Sequence, residues 1–73
     1  GLGDVYKRQG NEYVLGTDRV VTGLVAELPA GRWTVTQYDV IARKTTALST
    51  NASGRYIFDT PSSRSVLFFF KKK

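Results

Sequence analysis

The stretch WTVTQYDVIA, residues 33–42, decides the fold class. Trp33 and Val35 alternate with Thr34 and Thr36, the period of two that sends successive side chains to opposite faces of a strand. β-branched and aromatic residues dominate, which suits a pleated, half-buried surface. After Thr36 the phase changes, because Tyr38 and Val40 are the next large residues. A β-bulge near Thr36 and Gln37 would join the two halves into one strand.

Outward from that segment the chain repeats the same grammar. The runs EYVLG (12–16), VVTGLVAEL (20–28), TTALST (45–50), RYIFDT (55–60) and RSVLFFF (64–70) are short and β-rich. Between them stand turn residues. Pro29 and Gly31 suit a turn in LPAGRW, NASG (51–54) has turn chemistry, and Pro61, Ser62 and Ser63 break the chain. No window sustains a helical period. Turn signals every 8–12 residues or so predict an all-β protein, a small antiparallel β-sandwich of about six strands, over residues 11–70.

The last run carries the strongest expectation about surfaces. Val66, Phe68 and Phe70 point one way, Leu67 and Phe69 the other, and both sets are apolar. Such a strand is covered on both faces, or one face docks on something else. Burying one phenylalanine is worth about 1.5–3 kcal/mol, so exposure of Phe69 would forfeit much of that. Leu67 and Phe69 are therefore the candidate docking residues, with Val66, Phe68 and Phe70 as the alternative face.

Composition narrows the chemistry. The chain has 73 residues, no cysteine and no histidine. There is no disulfide staple, no thiolate metal site and no imidazole base. No cofactor or metal is expected. Apolar runs stay far below the roughly 18 residues of a membrane span, so no membrane insertion is expected from the three lysines beside three phenylalanines at the end. The formal charge of +5 raises nucleic-acid binding as a reading, that of a basic small barrel. Its distribution opposes this. Lys71, Lys72 and Lys73 lie at one terminus and Lys7 and Arg8 near the other, while between them acids and bases nearly balance. Residues 71–73 read as a solvated basic tail, and no nucleic-acid partner is expected.

Asp39 and Asp59 each follow an apolar run and are the carboxylates to weigh for catalysis. Aspartate at a strand end more often accepts hydrogen bonds within its own turn. Asn51-Ala52-Ser53 matches a glycosylation acceptor but reads as turn. Tyr38 and Trp33 are the candidate glycan contacts, since flat rings with a polar rim suit a pyranose. For Trp33 the competing role is the packing anchor of the sandwich.

Taken in order, L-P-A-G-R-W, a strand ending in Tyr38-Asp39, a polar hairpin, then F-D-T-P, an arginine and V-L-F-F-F resemble the C-terminal β-sandwich accessory domains of bacterial glycoside hydrolases. One group, named for collagen binding, carries W-Y-D-P-R-T-G-E and a later F-x-P-P. Gln37-Tyr38-Asp39-Val40 stands where W-Y-D-P would be, and Phe58-Asp59-Thr60-Pro61 near F-x-P-P. Val40 replaces the proline, and Ile41-Ala42-Arg43-Lys44 replaces the glycine-bearing turn. The resemblance implies a non-catalytic domain that packs against the catalytic domain of its parent chain, with polysaccharide as a further partner. It also implies a periplasmic or secreted setting. A free-standing glycan-binding module is the alternative.

The opening GLGDVYKRQ resembles the translated read-through of a sequencing adapter, as found at the ends of reading frames in assembled metagenomes. On that reading residues 1–10 are a non-native scar, the chain is a fragment, and residues 1–9 should be poorly packed.

Overall fold

The computed structural model describes residues 3–9, 11–60 and 65–73, the first of these segments as backbone. Seven strands follow in order: β1 (Gly3–Gln9), β2 (Glu12–Thr17), β3 (Leu24–Glu27), β4 (Trp33–Asp39), β5 (Lys44–Ala52), β6 (Arg55–Phe58) and β7 (Val66–Lys72). They build two antiparallel sheets, a five-stranded one in the order β1-β2-β7-β4-β5 and a two-stranded one of β3 and β6. The all-β, two-layer architecture expected from the turn spacing is present. One strand more than expected comes from residues 3–9.

β7 is central. It pairs with β2 on one side, Phe70 opposite Tyr13, and with β4 on the other, Phe70 opposite Val35. Neighbours on both edges satisfy its backbone hydrogen bonds, while the second sheet lies against only one face of its apolar run. The core lies between the two sheets. Trp33, Val35, Val66 and Phe68 are fully buried there, with Ala52, Phe58 and Phe70 beside them. The Phe58 ring meets Phe68 at 4.8 Å and Phe70 at 5.8 Å between centroids, in tilted and edge-on arrangements that favour aromatic pairs.

The proposed bulge in β4 does not occur. β4 keeps one unbroken register against β7 from Trp33–Lys72 to Asp39–Val66. Register shifts appear instead against β5, where Trp33 pairs with Ala52, Val35 with Ser49 and Thr36 with Ala47, so the extra residues sit on β5. An edge strand absorbs a bulge at less cost than a strand hydrogen-bonded on both sides. Tyr38 consequently faces away from Trp33 and Val35.

Two loops also differ from expectation. Residues 20–28 form a strand only over Leu24–Glu27. Upstream, Thr60 holds the chain as a loop: its Oγ1 accepts from the Val21 N–H at 2.5 Å and donates to Arg19 O at 2.6 Å, and its N–H donates to Val21 O at 2.8 Å. Gly23 takes φ of 71°, which ends the extended run. The turn after β5 is shorter than NASG, because Asn51 and Ala52 belong to the strand.

Both ends of the described chain are paired. β1 runs antiparallel to β2, with Val5 opposite Leu15 and Tyr6 opposite Val14, so residues 3–9 form an edge strand rather than an unpaired segment. Backbone complementarity alone supports such pairing, whatever the origin of the sequence. The ladder of β7 likewise continues through Lys72. The Lys72 N–H donates to Asn11 O and the Lys73 N–H to Arg32 O, each at 2.8 Å. What reads as a basic tail is structured to its last residue. Pro61 to Arg64, read as a chain break and a strand start, lie outside the described residues.

Candidate functional site

The five-stranded sheet has two unlike faces. The two-stranded sheet covers only the inner one. On the outer face, alternate residues of β2, β7 and β4 meet in register. Leu67 stands between Gly16 and Tyr38, and Phe69 between Val14 and Thr36. Val14 is 9% exposed, while Leu67, Phe69 and Tyr38 are half-buried. Gly16 lacks the side chain that would meet Leu67: a Cβ there would lie 3.5 Å from Leu67 Cδ2. At one end of the patch Lys71 Nζ lies 3.9 Å from Glu12 Oε1, and Thr34 Oγ1 donates to Lys71 O at 3.2 Å. Phe69, Val14, Glu12 and Lys71 border a shallow depression of about 190 Å³.

The structure thus brings three of the four sequence-derived site residues together. Leu67 and Phe69, read as docking residues, share one face with Tyr38, read as a glycan contact. Trp33 does not join them. It is fully buried on the inner face, its Nε1 donates to Pro29 O at 3.0 Å, and its ring lies 5.5 Å from that of Tyr13. A ring with no exposed surface cannot stack on a sugar, so Trp33 is the packing anchor and its reading as a glycan contact is set aside. Val66, Phe68 and Phe70, the alternative docking face, are likewise core. Val14 was missed. The signal was present in Tyr13-Val14-Leu15, apolar at three successive positions and hence on both faces, as in β7.

A second opening lies between the sheets. The two-stranded layer is too narrow to cover the inner face near β2. Tyr13, Leu15 and Phe70 therefore border a cleft of about 300 Å³ with Val25, Ala26 and Glu27 of β3 and the following Leu28. Its one carboxylate, Glu27, is held by Arg55 Nε at 3.2 Å. Tyr56 lines the inner layer nearby, 5.6 Å from Phe58 and 6.4 Å from Phe70. Burial pushes its phenol pKa above the ordinary value, because the phenolate would lose solvation.

The aspartates act as turn formers. Asp39 Oδ1 accepts from the N–H groups of Ile41 and Ala42 at 3.0 and 2.9 Å, closing the β4–β5 turn. Asp59 Oδ1 accepts from the Gly23 N–H at 2.8 Å. Each carboxylate substitutes for a backbone partner, the usual work of aspartate at a strand end. Among the described residues no three acidic groups stand close enough to hold a metal.

No family model matches the sequence, no curated protein matches it, and no solved structure matches it.

Proposed function

We propose that this chain is a non-catalytic accessory β-sandwich of a carbohydrate-active enzyme. It packs on the catalytic domain of its parent polypeptide through the outer face of the five-stranded sheet. The observation that carries this reading is the convergence of Val14, Tyr38, Leu67 and Phe69 on the face turned away from the two-stranded sheet, where Tyr38, Leu67 and Phe69 remain half-exposed. A protein without a partner for that face would be expected to place polar residues there, as alternating antiparallel strands do. The family resemblance gains support from the β4–β5 turn. Arg43 adopts φ of 53° at the position where the related W-Y-D-P-R-T-G-E motif carries glycine. That left-handed conformation is strained for arginine and free for glycine.

The test is self-association and hydrophobic-dye binding of the isolated chain, wild type against Leu67→Thr and Phe69→Thr. Threonine keeps strand propensity while removing the apolar surface. The wild type should bind dye and associate, and both variants should do so less while staying folded by circular dichroism. A wild type that is monomeric and dye-silent overturns the docking role.

A further inference from the structure

The smaller layer holds β3 and β6, and among the described residues β3 has a strand neighbour on one side only. One hydrogen bond shows where its free backbone groups point. The Leu28 N–H donates to Gly54 O at 2.8 Å, so Leu28 turns its backbone toward β6. In an antiparallel pair this direction repeats at every second residue. Ala26, opposite Tyr56, and Leu24, opposite Phe58, therefore face β6 as well. Val25 and Glu27 turn their N–H and C=O groups to the open side, where donors and acceptors alternate along the edge.

The apolar cleft lies on that open side. Val25 and Glu27 border it although their side chains are exposed and alternate with the core-facing Leu24 and Ala26, so they reach it along the backbone edge. No β6 residue borders it. The opposite wall is Tyr13 and Leu15 of β2 with Phe70 of β7, and the volume of about 300 Å³ has room for apolar side chains. Proteins protect a free edge with charge, proline or a bulge. β5, an edge of the larger sheet, carries its register shifts and Lys44. β3 has an unbroken register and no proline, and its one charge, Glu27, is engaged by Arg55. Val25 and Ile57, directly opposed on the outer surface of the layer, are both exposed.

These features specify the occupant. A row of alternating N–H and C=O groups is matched by another extended backbone, and the apolar floor beside it by alternate apolar side chains. The room available admits one strand and no second copy. β6 packs over β7, through Phe58 on Phe68 and Phe70. β3 lies toward β2, and β1 is the strand beyond. A copy joined through its own β3 would bring a second large sheet into the space that β2 and β1 occupy, whereas a lone strand lies above them. We propose that the free edge of β3 takes up one extended strand of a partner polypeptide, apolar at alternate residues, which widens the smaller layer and fills the cleft. This site is independent of the outer face of the five-stranded sheet.

Titration of the full chain with a capped synthetic peptide of alternating valine and threonine, read by amide hydrogen exchange, tests the assignment. In the free chain the Val25 and Glu27 amides should exchange quickly and the Leu24 and Ala26 amides slowly. The peptide should slow Val25 and Glu27 by at least about tenfold. The same peptide N-methylated throughout keeps its side chains and loses its donors, and should bind at least about tenfold more weakly. Val25→Pro deletes an outward N–H without touching the ladder to β6, and should abolish peptide binding with the circular dichroism unchanged. If that variant unfolds, the exchange pattern of the wild type decides alone. No peptide binding, or binding that leaves Val25 and Glu27 exchanging freely, overturns the site. Protection of both amides in the peptide-free chain overturns it as well, and a dimer in sedimentation would then give the edge to a second copy.

Discussion

The two faces of β7 share one strand, one composition and one set of neighbouring strands, yet they differ in everything that follows from covering. Val66, Phe68 and Phe70 point at β3 and β6 and are buried, Phe68 completely. Leu67 and Phe69, between them in sequence, are only half-buried. Apolar character does not distinguish the faces. A second layer of sheet does. The inner face is where stability resides, and the outer face is where apolar surface has been left available.

Truncation should separate them most sharply. Phe68→Ala removes a fully enclosed ring that touches Phe58, and an aromatic-to-alanine change of this kind costs about 3–5 kcal/mol. A domain of this size holds about 4–11 kcal/mol in total, so the variant should lose at least about a quarter of its stability. Phe69→Ala should cost about 1–1.5 kcal/mol, the share expected of a half-buried side chain. Urea denaturation of both variants measures the difference. Equal losses would mean that the outer face is as enclosed as the inner one.

Gly16 offers a finer probe of the outer face. Its backbone is not left-handed, and an added Cβ would meet Leu67 Cδ2 at an ordinary 3.5 Å. Gly16→Ala should therefore stabilise the strand by about 0.5 kcal/mol through the lost freedom of glycine in the unfolded chain. A loss of stability instead would show that Leu67 is more tightly confined than the open face allows.

The smallest effect belongs to Tyr56 on the inner side. Its folded-state pKa is raised by burial above the ordinary 10.0. The fold therefore retains a proton that the unfolded chain gives up. Stability is complete below the unfolded value and declines as pH rises from about 10 through the folded value. Thermal melts of wild type and Tyr56→Phe across that alkaline range should differ in slope, with the variant flatter. Parallel slopes would remove burial of the phenol as a pH-sensitive feature of the core.

Much of this was legible from local pattern. Alternation in Trp33 to Thr36, turn chemistry at Pro29, Gly31 and Gly54, and aspartates at strand ends are short-range signals. The structure places each as its chemistry suggests. Gly31 and Gly54 take φ of 126° and 61°, and Asp39 closes its turn. The candidate face was half legible: Leu67 and Phe69 stood out, but Val14 and Tyr38 join them only through pairing across strands. The misplaced bulge has the same origin. A phase change in one strand cannot reveal whether that strand or its neighbour carries the extra residues.

The sequence by itself determined that this chain forms short strands joined by tight turns, with one strand apolar on both sides. Those properties depend on neighbours a few residues away. Tertiary structure alone decided that the last strand lies at the centre of the sheet, between β2 and β4. It also paired residues 3–9 with β2 and brought the basic residues of both termini to one end. Strand order is set by which faces can be buried together and by the closure of long loops. Neither is written in any local stretch of residues.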